Sequence, residues 1–95
     1  MKYKMTEKEK EFLQNIITGI KYMSSDIPID LTGTSISPYN LKEMLYLNGY
    51  TLTCNDCNEY DYWWEFSHPN VGTVTMFFNA ESFELTLEVR KDAKT

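Results

Sequence analysis

Phe83–Arg90 reads FELTLEVR, and its alternation decides the fold. Phe83, Leu85, Leu87 and Val89 fall on one side of an extended chain, and Glu84, Thr86, Glu88 and Arg90 on the other. A strand of this kind belongs to an antiparallel sheet with one buried and one polar face. Every earlier strand must agree with it, because a slip of one residue turns all its side chains over.

Working upstream, a four-residue turn at Asn79-Ala80-Glu81-Ser82 pairs Phe78 with Phe83, Met76 with Leu85 and Val74 with Leu87, all inward. It sets Phe77 opposite Glu84 and Thr75 opposite Thr86 on the outer face. A three-residue loop at Pro69-Asn70-Val71 then pairs Phe66 with Val74, Trp64 with Met76 and Tyr62 with Phe78. The adjacent tryptophans of YDYWWEF, Tyr60–Phe66, are thereby separated. Trp64 enters the core, while Trp63 faces outward opposite Phe77, with Glu65 opposite Thr75. The alternative register would bury Asp61 and Glu65 without partners, at a large desolvation cost. Strands are expected at about 50–54, 60–67, 73–78 and 83–90, with CNDCNE, HPNVG and NAES as the intervening turns.

The first half of the chain follows a helical period instead. Phe12, Leu13, Ile16, Ile17, Ile20 and Met23 make one face of a helix over about 6–23, and Thr6-Glu7-Lys8-Glu9 has capping-box form. Residues 24–36 form a connector in which Ile27, Ile29 and Leu31 alternate with Pro28 and Asp30, the pattern of an extended segment along the core or at a sheet edge. A second helix follows over about 37–48. Ser37 is its N-cap, Pro38 its first residue, Ile36 and Leu41 its hydrophobic staple, and Asn48-Gly49 its left-handed stop. The expected architecture is a single α+β domain: two amino-terminal helices packed on one face of a four-stranded antiparallel meander, in the order ααββββ.

Composition narrows the function classes. The 95 residues suffice for one core, and 42% hydrophobic with 15% aromatic residues is too apolar for a disordered chain. No apolar run approaches the roughly 18 residues of a membrane span, and MKYKMTEKEKEF has no signal-peptide core, so the expected location is cytoplasmic. The formal charge of -5 is uneven: residues 1–23 carry five lysines against three glutamates, whereas residues 24–89 carry ten carboxylates against Lys42. No basic patch of the kind that binds phosphates occurs, which argues against direct nucleic-acid binding and for a basic protein partner or self-association.

Motifs for catalysis or cofactors are weak. Cys54-Asn55-Asp56-Cys57 is a CxxC, but His68 is the sole histidine and no further cysteine completes a zinc site. Its acidic hairpin setting is also unlike the helix start of a thioredoxin-like pair. Asp56, Glu59 and Asp61 lack calcium-loop spacing. His68 has no nucleophile placed beside it. No cofactor and no catalytic residue is expected.

What remains is a surface. The outer face would carry Thr51, Thr53, Asp61, Trp63, Glu65, Thr75, Phe77, Glu84, Thr86 and Glu88, an aromatic pair inside a rim of carboxylates and threonines. That composition suits the centre of a protein interface, although cross-strand aromatic pairs also stabilise exposed sheets. The leading expectation is a non-enzymatic module that occludes a protein partner, centred on Trp63 and Phe77 and rimmed by Asp61, Glu65, Thr75, Glu84, Thr86 and Glu88. In size and acidity the chain is similar to the small inhibitors of phages and mobile elements and to bacterial immunity proteins, a likeness of category that covers no motif. A special case is nucleic-acid mimicry toward a basic nucleic-acid-binding protein. The alternatives are a homodimer through the outer sheet face and a small metal or thiol protein using Cys54 and Cys57.

Overall fold

The computed structural model describes residues 5–22, 28–34 and 36–91. In chain order these form α1 (Glu7–Ile20), β1 (Pro28–Asp30), α2 (Pro38–Leu47), β2 (Thr51–Asn58), β3 (Asp61–His68), β4 (Gly72–Asn79) and β5 (Leu85–Lys91). The class is α+β, as the change of period implies. The sheet, however, has five antiparallel strands in the order β1-β5-β4-β3-β2, not four. The additional strand comes from the connector, where Ile29 pairs with Leu87 and Asp30 with Thr86. Leu31 prolongs the pairing by donating its N–H to the Leu85 carbonyl at 2.8 Å. A free edge on β5 is thus covered by residues whose alternation matched it. The order is αβαββββ, so the helices do not precede the sheet as a block.

Both helices start where their caps place them. The Thr6 hydroxyl accepts from Glu9 N–H at 3.1 Å while the Glu9 carboxylate accepts from Thr6 N–H at 2.9 Å, a complete capping box. The last turn of α1 holds no basic residue, and Lys91 of β5 takes that role: its Nζ donates to the Ile20 and Lys21 carbonyls at 2.7 and 3.1 Å. α2 begins with Ser37 accepting from Asn40 N–H at 3.2 Å. It ends in a Schellman turn, with Tyr50 N–H on the Leu45 carbonyl at 3.0 Å and Gly49 N–H on the Tyr46 carbonyl at 3.1 Å. A reciprocal amide pair joins the helices, Gln14 donating to Asn48 at 2.9 Å and Asn48 to Gln14 at 3.1 Å. Met23 and Ile27, expected on the core side, lie outside the described residues.

The helices cover one face of the sheet. Leu13, Ile17 and Ile20 of α1 and Leu41, Met44 and Leu45 of α2 meet Phe66, Val74, Met76, Leu85, Leu87 and Val89 in a closed core. Fully burying side chains of this size stabilises by roughly 1.5–3 kcal/mol each, which outweighs the local preference of any single turn residue. Phe12, expected on the same stripe, sits at its margin and is exposed.

Register is correct between β3 and β4 and shifted between β4 and β5. Trp64 pairs with Met76, Trp63 with Phe77 and Glu65 with Thr75, as the alternation requires. On the other side Phe78 pairs with Leu85, Met76 with Leu87 and Val74 with Val89, two residues from the expected partners. The cause is Asn79. Its carboxamide oxygen accepts from Glu81 N–H at 2.9 Å and Ser82 N–H at 2.8 Å, an Asx-type cap that moves the loop to residues 80–83. Phe83 leaves the strand, takes a left-handed φ of 62° and becomes exposed. A shift of two preserves side-chain parity, so every inward residue from Leu85 onward stays inward.

β2 is also longer than expected. Residues 54–58, which read locally as turn, pair with β3 down to Asn58 opposite Asp61, leaving only Glu59-Tyr60 as the turn. Continuous pairing with β3 overrides their turn propensity. A bulge at Thr53 separates the Leu52 and Cys54 pairings and resets which side chains face outward.

Two positions test this packing. Gly49 has φ +89°, and a Cβ there would lie 3.3 Å from His68 Nε2; Gly49→Ala is expected to destabilise by about 1–2 kcal/mol in urea unfolding. Tyr50 is buried with no described hydrogen-bond partner for its hydroxyl, and burial pushes its phenol above the ordinary range. The folded state therefore holds this proton more tightly, so stability falls as pH rises from about 10 toward the folded pKa. Tyr50→Phe should leave stability at pH 7 unchanged or higher and reduce that alkaline loss in thermal melts.

Candidate protein-binding face

Because α1 and α2 share one face, the opposite face carries no described element, and strand pairing orders its side chains into rows. One row crosses the whole sheet as Asp30, Thr86, Phe77, Trp63 and Asp56. The row beside it reads Pro28, Glu88, Thr75, Glu65 and Cys54. The aromatic pair therefore lies between carboxylates at both sheet edges. Phe77 is 40% exposed and Trp63 half-buried, so the two present apolar surface directly to solvent.

An open depression of about 430 Å³ deepens this face beside the pair. Trp63, Phe77 and Thr86 line it together with the polar groups of Asp30, Asp61 and Glu84. Asp61 is held by Asn79, whose Nδ2 donates to its carboxylate at 2.7 Å. Asp30 is held by Thr32: the hydroxyl, and then the backbone N–H at 2.9 Å, keep its carboxyl below the ordinary value. Charge on Asp30 consequently persists to lower pH than on a free aspartate. Glu65 accepts from the Thr53 hydroxyl at 3.4 Å, a long contact that leaves it largely available.

The expected site residues are brought together, with changed neighbours. Phe77 faces Thr86 instead of Glu84, and Thr75 faces Glu88 instead of Thr86, following the shift between β4 and β5. Glu84 belongs to the hairpin end, not to a strand, yet still reaches the depression. Asp30, Asp56 and Cys54 also lie on this face, where the sequence reading did not place them. The alternation around Ile29 carried the signal for Asp30, whereas Asp56 and Cys54 were hidden by local turn chemistry. Trp64 points inward as expected but is only partly buried, bordering a groove between the sheet and α2.

His68 Nδ1 accepts from Asn70 N–H at 3.0 Å and the ring packs 4.8 Å from Tyr50, a structural role at a turn. Cys54 pairs with outward Glu65 and Cys57 with inward Tyr62, so the two thiols leave opposite faces of β2. Three residues along a strand separate their Cα atoms by about 10 Å, beyond the roughly 7 Å limit for a disulfide. Among the described residues no group of three or more His, Cys, Asp or Glu side chains could hold a metal ion, and no helix is long and apolar enough to cross a membrane. No known family, characterised protein or solved structure matches the chain.

Both cysteines are exposed and free. A thiol reagent should therefore modify two thiols per native chain at rates within about tenfold of the unfolded protein. Strong protection of either would contradict the extended β2.

Proposed function

We propose that the chain is a non-catalytic binding module that occludes a protein partner through the outer sheet face around Trp63 and Phe77. The observation that supports this most directly is the position of the aromatic pair. Neither helix covers it, strand pairing holds it rigidly, and carboxylates surround it. Rigid exposed aromatics within a polar rim are the composition of interface hot spots. Asp30, Asp56, Asp61, Glu65, Glu84 and Glu88 outnumber the cation of this face, Arg90 on β5, and the excess of negative charge favours a basic partner. They also steer its approach over about 10 Å at ordinary salt. A groove that normally binds nucleic-acid phosphates would meet these criteria, which makes mimicry the special case of this reading.

A second reading uses the same face for a two-fold dimer. Its support is that an uncovered aromatic pair can pack against its own copy, and its difficulty is that six carboxylates would then face six others. The inhibitor reading avoids that repulsion.

The test is quantitative binding to a partner captured from cells, identified and purified, with variants compared against the native chain. Trp63→Ala should weaken the complex by more than about tenfold, the loss typical of an interface anchor. Neutralising Glu65, Glu84 and Glu88 together should chiefly slow association and flatten its salt dependence. Retained affinity in Trp63→Ala would reject this face as the interface. Sedimentation separates the second reading: a native dimer that Trp63→Ala converts to monomer supports it, and a monomer at high concentration eliminates it.

A further inference from the structure

On the opposite side of the sheet from Trp63, the helices leave one end of the inner face open. Tyr39 and Lys42 of α2 face Tyr62, Trp64 and Phe78 across a groove of about 600 Å³, a volume suited to a small organic ligand. Tyr62 and Trp64, two apart on β3, stand nearly parallel, 13° between planes and 6.2 Å between ring centroids. Together they make the aromatic side of the groove. Tyr39, 76% exposed, stands at the groove's other side, on α2.

The groove is not merely apolar, because Lys42 is part of its lining. Its Nζ lies 5.6 Å from the Tyr39 ring centroid and 5.9 Å from that of Trp64. Among the described residues no carboxylate pairs with it, although it is the one lysine or arginine between residues 28 and 89 of an acidic chain. Contacts to two ring faces hold the ammonium in place without neutralising it. The first turn of α2, also at this groove, holds no acidic residue, so its amino end adds potential of the same sign.

We propose that this groove binds a small amphipathic anion, its flat apolar body against Tyr62 and Trp64 and its acidic group on Lys42. The net charge of -5 opposes any anion at a distance, but beyond about 10 Å that repulsion is screened at ordinary salt, whereas the Lys42 contact acts at hydrogen-bond range. Charge complementarity at contact therefore wins. The inference is independent of the protein-binding reading, which uses the other face.

Two fluorescent probes of similar shape test it: the anion 1-anilinonaphthalene-8-sulfonate and the neutral N-phenyl-1-naphthylamine. The anion should bind the native protein saturably, one per chain. In Lys42→Gln its Kd should rise about tenfold, the loss of one charged contact, while the neutral probe's Kd changes less than about twofold. The native chain has two tryptophans and hence two indole N–H signals, assignable with Trp63→Phe. In the native protein the anion should shift the Trp64 signal and leave that of Trp63 in place. Absence of saturable binding, movement of the Trp63 signal instead, or equal loss of both probes in Lys42→Gln would overturn the proposal.

Discussion

The constraint on which the structure depends is the full-length pairing of β3 with β4. Once Trp64 lies opposite Met76, side-chain alternation sends Trp63 and Phe77 to the other face, and no rotamer change can bring them back. The core accepts Phe66, Val74 and Met76 from these two strands, and the helices close over them. A one-residue slip would instead place Glu65 and Thr75 in that core, a cost of several kcal/mol per unpaired charge. The exposure of the aromatic pair is thus the counterpart of a well-packed interior. It follows from the same register.

Two small helices cannot cover a five-stranded sheet, even on the side where they pack. α1 and α2 close over the end of the inner face that holds Phe66, Val74 and Val89, and leave Tyr62, Trp64 and Phe78 bordering a groove. The outer face has no helix at all among the described residues. Apolar side chains are therefore presented in two separate places with different electrostatics. The outer pair lies among carboxylates, and the inner groove holds a lysine that no described carboxylate neutralises. Opposite charge preferences on the two faces follow from where the strands place Asp30, Asp56 and Asp61 and where α2 places Lys42.

Much of this was legible in the residues. Period change at Tyr50, the capping box at Thr6 and Glu9, the Ser37-Pro38 start and the Asn48-Gly49 stop are local signals, and each corresponds to a feature of the fold. The outward identity of Trp63 and Phe77 was legible because the loop between β4 and β5 moves by one residue at unchanged length, which shifts register by two and preserves parity. Less legible were β1, the far half of β2 and the partners of β5. A three-residue strand has too little sequence to announce itself, and it exists only because β5 offers an edge. Residues 54–58 carry turn-prone Asn and Asp, and only the length of β3 keeps them extended. Asn79 was read as part of its loop when it caps that loop, a distinction of hydrogen bonding and not of composition.

By itself, then, the sequence determined the class of fold, the two helices and the face to which each residue of β3 and β4 points. These depend on periodicity and on caps a few residues long, both of which are local. Only the tertiary structure decided that a fifth strand exists, that Asp30 and Asp56 flank the aromatic row, and that Trp64 borders a groove beside Lys42. Those outcomes depend on which edges are free and how far the helices reach, and such relations arise only when distant segments share a surface.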